Sequence, residues 1–267
     1  MVNGLEAFRD AFQEYKGQYV LIGGAACDLI LSDIGVQARA TKDLDIVLCM
    51  ETLTKEFMAT FWEFIQQGAY QLRAKANGKH CLYRFQSPQV TGYPSILELF
   101  SRRPDWLNGI ADEAAFIPIP DAEQHNSLSA ILLDDDYYAL IRDGMIEMEG
   151  VPLVRALHLI PLKAKAYLDL SDRKDRGEQV DAKDIAKHRN DIFRLYNALV
   201  PDETLILPLS LHDTMRKFLS SVRRQPLRMK DYGIARRTQQ EVIEQLEQAY
   251  QISVPFVAEL PDVSFQG

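Results

Sequence analysis

Apolar residues recur at spacings of three and four in Leu5, Phe8 and Phe12, which predicts a first helix capped by Asn3 and ending near Gly17. The run Tyr19 to Ile22 is uniformly apolar and predicts a buried strand. Gly23-Gly24 opens a second helix through Leu29, Ile30 and Leu31, and a loop containing Gly35 leads to a strand from Asp43 to Cys49. Thr54 caps a third helix with Phe57, Phe61, Phe64 and Ile65 on one face, and Gly68 is placed to end it. The pattern then switches to period two. Tyr70 to Lys75 and His80 to Phe85 flank Asn77-Gly78, a hairpin signal, and another strand runs from Ser95 to Phe100.

Residues 102–127 show little periodicity and predict an irregular segment. Short strands are predicted at Ile131 to Leu133, Tyr137 to Ile141 and Met145 to Met148. From Pro161 onward the period is helical, with helices over 161–171, 181–199, 210–222 and 236–250. The expected fold is α+β (α/β): a mixed-sheet domain over 1–155 followed by a helical domain over 156–267.

Composition narrows the function classes. With 267 residues, 47% apolar and 25% charged, the chain excludes wholesale disorder and a fibrous repeat. Three cysteines without a Cys-x-x-Cys spacing argue against disulfides and a cysteine zinc site, and the five histidines contain no pair spaced for zinc on a helix. No apolar run approaches a membrane span and no secretory leader is visible, so a cytoplasmic protein without a membrane partner is expected. The net charge of −8 argues against a nucleic-acid binder until it is divided. Residues 1–150 carry 12 basic and 22 acidic side chains, whereas residues 151–267 carry 18 basic and 16 acidic ones. Within 216–237, Arg216, Lys217, Arg223, Arg224, Arg228, Lys230, Arg236 and Arg237 face Asp231 alone, a composition suited to a solvated helical surface or to a polyanion.

The candidate chemistry lies in residues 19–50. In a strand, Asp43 and Asp45 project to one face while Leu44, Ile46 and Leu48 take the other. Two carboxylates side by side call for a cation, and oxygen-only ligands suit Mg²⁺ or Mn²⁺. Glu98 is a lone charge in the apolar run Ser95 to Phe100 and needs a partner to be buried. If its strand lies beside Asp43 to Cys49, Glu98 joins the two aspartates in a cluster suited to phosphoryl or nucleotidyl transfer. Gly23-Gly24 at a helix N-terminus lets backbone N–H groups approach phosphate.

An apolar strand ending in Gly-Gly, a helix, the run Arg39-Ala40-Thr41-Lys42-Asp43-Leu44-Asp45 and a later strand bearing an acid resemble the nucleotidyltransferase (polymerase β-like) superfamily. Within it the likeness is to the AbiEii-type nucleotidyltransferase toxins of abortive-infection and toxin–antitoxin systems, over residues 19–100 and more weakly through Pro161 to Ala166 and Ala182 to Ile185. The resemblance implies a nucleotidyltransferase fold, with Asp43 and Asp45 as metal-binding catalytic residues and Glu98 as third ligand or general base. It also implies nucleotide contacts at Gly23, Gly24, Lys42 and Lys163.

The function expected on these grounds is Mg-dependent transfer of a nucleotidyl group from an NTP to an acceptor hydroxyl. RNA or protein would be the acceptor through the basic patch, and an antitoxin would be the partner. The alternatives are a non-catalytic nucleotide- or partner-binding member of the same fold, and a nucleotidyltransferase acting on a small molecule such as an antibiotic.

Overall fold

The computed structural model describes residues 3–39, 41–49, 51–74, 80–101 and 135–252. The Asn77-Gly78 turn, residues 102–127 and the expected strand Ile131 to Leu133 lie outside these. Helix α1 (Leu5–Phe12) precedes strand β1 (Tyr19–Ile22), helix α2 (Gly23–Asp33), strand β2 (Asp43–Leu48) and helix α3 (Lys55–Gln67). Strands β3 (Gln71–Ala74), β4 (His80–Gln86) and β5 (Ile96–Phe100) follow, then helix α4 (Asp135–Asp143) and strands β6 (Met145–Met148) and β7 (Val151–Val154). The remainder is helical: α5 (Ala156–Asp175), α6 (Ala182–Leu195), α7 (Leu209–Arg223) and α8 (Gln239–Ala249). The architecture is α+β, a mixed sheet followed by a helical C-terminal region.

Seven strands form one sheet in the order β3-β4-β5-β2-β1-β7-β6. β2 lies antiparallel to β1 and parallel to β5, and β7 runs parallel to β1. Burial follows the expected alternation in β2, where Leu44, Ile46 and Leu48 are fully buried and the two aspartates are only partly covered. The aromatic stripes of α1 and α3 close together, with the rings of Phe8 and Phe64 in edge-to-face contact and Phe12 against Phe57. Buried residues of the sheet and of the C-terminal helices belong to one contiguous core. No helix among the described residues is long and apolar enough to cross a membrane.

Four local expectations are corrected. Gly4, not Asn3, occupies the cap position of α1, with φ at 80° and no side-chain cap bond. A β-carbon there would stand 2.1 Å from the nitrogen of Pro94, so close packing against residues 93–94 decides the position. Tyr137 to Ile141 is helical. Tyr137, Tyr138, Leu140 and Ile141 are all buried, which matches one face of a helix, and Asp135 and Asp136 sit in the first turn where the helix dipole favours acids. Val151–Val154 is a fully buried strand that Pro152 had masked, because proline removes a ladder donor.

The helix expected from Pro161 begins instead at Ala156, with Pro161 inside it. Proline has no N–H to give the carbonyl four residues earlier, that of Leu157. The hydroxyl of Tyr250 donates to that carbonyl at 2.8 Å and supplies the missing bond from another part of the chain.

Candidate active site

Asp45 pairs in register with Ile22 on one side and with Glu98 on the other, and Glu98 pairs with Arg84. The sheet therefore carries a transverse row Ile22, Asp45, Glu98, Arg84. Asp43 lies two residues before Asp45 on the same face of β2. This face opens into a cavity of about 330 Å³ lined by all three acids, Gly23, Gly24 and Arg84, and closed by residues of α5 and α6.

The glycine turn is built around Asp45. Gly23 has φ at 68°, and a β-carbon on it would stand 1.7 Å from Oδ2 of Asp45. Only glycine satisfies both the left-handed backbone and this approach. The backbone N–H of Gly24 hydrogen-bonds to the Asp45 carboxylate, so the N-terminus of α2 faces that charge. A β-carbon on Gly24 would meet the Thr41 hydroxyl at 2.6 Å, and the guanidinium of Arg39 stands at 3.1 Å from the same point.

The acids are crowded. Burial, then the charges of Asp45 and Asp43 set against that of Arg84, push Glu98 up to about 7. Burial also raises Asp45, against the pull of Lys163 and with the charge of Asp43 adding to the rise. Asp45 and Glu98 hydrogen-bond to each other, an arrangement that holds a proton between two carboxylates near neutral pH. Nη1 of Arg84 donates to Oε1 of Glu98 at 2.5 Å.

The opposite wall is cationic. Lys163 on α5 is 3% exposed and its Nζ donates to Oδ2 of Asp191 on α6 at 3.0 Å. Burial opposes the charge on Lys163, but Cys27 and Asp191 hold it, and its pKa lies above the ordinary lysine value. Burial would raise Asp191; Lys163 and Arg39 outweigh it and bring the carboxylate below its ordinary value. Arg39 and Arg194 flank the same carboxylate at 3.5 and 3.6 Å. His188 lines the cavity with a buried Nδ1 that has no hydrogen-bond partner among the described residues, and burial followed by the charges of Lys163 and Lys187 pushes its pKa down to about 3. It is a neutral imidazole.

The structure thus gathers Asp43, Asp45, Glu98, Gly23, Gly24 and Lys163 at one cavity. Lys42 is exposed and does not line it. The basic stretch 216–237 is partly neutralised by acids outside it in sequence: Arg216 and Lys217 pair with Asp213, and Arg223 pairs with Glu247. Arg224, Lys230 and Arg236 are exposed. A larger opening of about 470 Å³ is lined by Tyr196, Arg236, Arg237 and Gln245 and includes none of the three acids.

No family model matches the chain, and no curated protein matches it significantly. Among solved structures, the chain is similar to the antibiotic-resistance factor ANT(2'')-Ia, at 13% identity over 82% of this chain and 93% of that one, with a TM-score of 0.35. A likeness that loose transfers neither residue roles nor activity.

Arg39, Arg84, Lys187, His188 and Asp191 were not singled out by the sequence pattern as site residues. Signals for four of them exist in retrospect. Arg84 is a charge in an apolar strand and complements the lone acid in the next strand. Asp184, Lys187, His188 and Asp191 recur at helical spacings of three and four, a polar stripe on a helix that also buries Ile192, Phe193 and Leu195.

The donor set can be tested against a divalent metal. Among the described residues no three His, Cys, Asp or Glu side chains are grouped so as to hold an ion. Asp43 and Asp45 supply adjacent hard oxygen donors, and Asp45 is raised first by burial and then by the charge of Asp43, both of which a bound cation would offset. Those two residues fit one hard cation, whereas Glu98 is already held by Arg84.

Proposed function

We propose that this chain is a Mg²⁺- or Mn²⁺-dependent nucleotidyltransferase that transfers a nucleotidyl group from an NTP to an acceptor hydroxyl. The observation that carries this reading is the placing of Asp43, Asp45 and Glu98 on one sheet face against a left-handed glycine turn at a helix N-terminus, opposite buried Lys163.

Asp43 and Asp45 would hold the divalent cation, which when bound supplies Lewis-acid stabilisation of the phosphoryl oxygens. The α2 N-terminus and the cations Arg39, Lys163 and Lys187 give the triphosphate a positive surround. Glu98, with its pKa near neutrality, is suited to take the proton of the acceptor hydroxyl as its oxygen attacks the α-phosphorus and pyrophosphate leaves. Asp191 keeps Lys163 charged and oriented. The Lys163–Asp191 pair joins α5 to α6, and Arg39 on the same Asp191 carboxylate links those helices to the N-terminal half of the chain.

The finer form of this proposal is a toxin-type enzyme of the AbiEii kind, with RNA or protein as acceptor and an antitoxin as partner. Exposed Arg224, Lys230 and Arg236 support a polyanionic acceptor. Label transfer from α-³²P NTPs, with pyrophosphate release followed for tRNA, protein and aminoglycoside acceptors, tests both levels. Asp43→Asn and Asp45→Asn proteins are expected to be inactive with every acceptor. Transfer at the wild-type rate by either variant sinks the reading, and transfer confined to the aminoglycoside sinks the toxin-type form alone.

A further inference from the structure

Glu98 lies where a third metal-ligating carboxylate would complete the pair on β2, yet its free oxygens are spoken for. One is engaged at 2.5 Å by Nη1 of Arg84, and the side chain also hydrogen-bonds to Asp45. Arg84 comes from the neighbouring antiparallel strand in direct register with Glu98, so the contact is set by sheet pairing rather than by the reach of a mobile surface chain. Both partners are largely covered, with side-chain exposures of 23% and 17%. The Nε of Arg84 is buried and has no hydrogen-bond partner among the described residues, while Nη1 holds Glu98. A guanidinium cannot be deprotonated in a protein, and it is therefore a permanent cation at this point.

We infer that Arg84 is a tethered replacement for a second divalent cation at Glu98, so that the site binds one metal ion, on Asp43 and Asp45, instead of two. The inference rests on the nucleotidyltransferase reading of the cavity and adds to it the number of ions and the source of the second positive charge. Arg84 serves here as a positioning residue: it sets a permanent positive charge against Glu98 and fixes its carboxylate beside Asp45. Two hard cations sharing a three-carboxylate cluster would have to displace a charge-assisted hydrogen bond made by an always-charged side chain, whereas one ion on Asp43 and Asp45 leaves that bond in place.

The test is the stoichiometry of Mn²⁺ binding, by calorimetry and by the loss of the free-ion electron paramagnetic resonance signal, on the full chain without nucleotide. Wild type is expected to bind one ion. Arg84→Gln frees Glu98 and raises the count to two, Arg84→Lys retains a tethered cation and stays at one, and Arg84→Gln/Glu98→Gln returns to one. Circular dichroism checks that each variant is folded; should Arg84→Gln fail to fold, the wild-type count and that of Glu98→Gln, also expected to be one, still decide. Two ions in wild type overturn the inference and leave the nucleotidyltransferase reading standing. One ion in folded Arg84→Gln overturns it as well. No ion in wild type overturns both.

Discussion

Gly23 and Asp45 are packed so closely that the space a β-carbon would occupy on the glycine is filled by the carboxylate of the aspartate, 1.7 Å from Oδ2. Gly23 also adopts φ at 68°. The turn that begins α2 and the acid on β2 are therefore one structural unit, and neither can be altered without moving the other.

Gly23→Ala should cost more than the backbone strain of a left-handed alanine, which is about 1–3 kcal/mol. Gly35 separates the two effects, since it has φ at 70° and nothing within 4 Å of its would-be β-carbon. Urea unfolding is expected to show Gly35→Ala losing only the strain term with catalysis intact, and Gly23→Ala losing more stability together with nucleotidyl transfer. Equal losses in the two variants would remove the steric role assigned to Asp45.

The acid cluster dictates a pH dependence. Glu98 is raised in the folded chain from 4.5 to about 7, so between those values the folded state retains a proton that the unfolded state has released. Stability is therefore expected to be fully supported below about pH 4.5 as far as this group is concerned, and to fall as pH rises towards 7. Thermal unfolding of metal-free protein across pH 4.5 to 8 should show this decline relative to Glu98→Gln, which lacks the titration. Saturating Mg²⁺ should offset the loss at the upper end, because cation binding favours the deprotonated carboxylates.

The Lys163 and Asp191 pair is 3% and 1% exposed. Removing one partner strands the other charge. Asp191→Ala is expected to destabilise the chain by about 3–5 kcal/mol, the usual penalty for breaking a buried pair. The double variant Lys163→Met/Asp191→Leu should recover much of that stability while remaining inactive. Denaturant midpoints with a transfer assay distinguish these outcomes, and full activity in the double variant would remove Lys163 from the site.

Tyr250 and Pro161 are coupled through the carbonyl of Leu157. Tyr250→Phe leaves that buried acceptor unpaired and is expected to cost about 1–3 kcal/mol. In a Pro161→Ala background the helix supplies its own N–H, so the same change should cost much less. A double-mutant cycle measured by urea unfolding reads the difference, and additivity within about 0.5 kcal/mol would argue against the shared carbonyl.

The row of charges shows how far residue patterns reach. Asp43-Leu44-Asp45 announced both its strand and its face, because alternation along a strand is a matter of backbone geometry over three residues. The same pattern identified Glu98 as a buried charge in need of a partner, and Gly23-Gly24 as a turn opening a helix. The lone charge of Arg84 in the preceding strand was a signal, but its pairing with Glu98 was not legible locally, since that depends on which strand lies beside β5. Lys42, grouped with the site by its neighbours in sequence, is exposed just ahead of β2, and alternation along the extended chain turns it away from the face that carries Asp43.

Short-range periodicity and turn chemistry were thus sufficient for most helices, for the strands that carry the acids, and for the α+β arrangement of sheet before helices. They misassigned Tyr137 to Ile141 and missed Val151–Val154, where a few residues fit either period or a proline argued against the strand that formed. Strand order and helix docking decided the rest. They brought Ile22, Asp45, Glu98 and Arg84 into one row and Lys163 onto Asp191, across separations over which no periodic pattern persists. The protonation of those groups was decided at the same level, because desolvation and the approach of other charges exist only once the chain has packed.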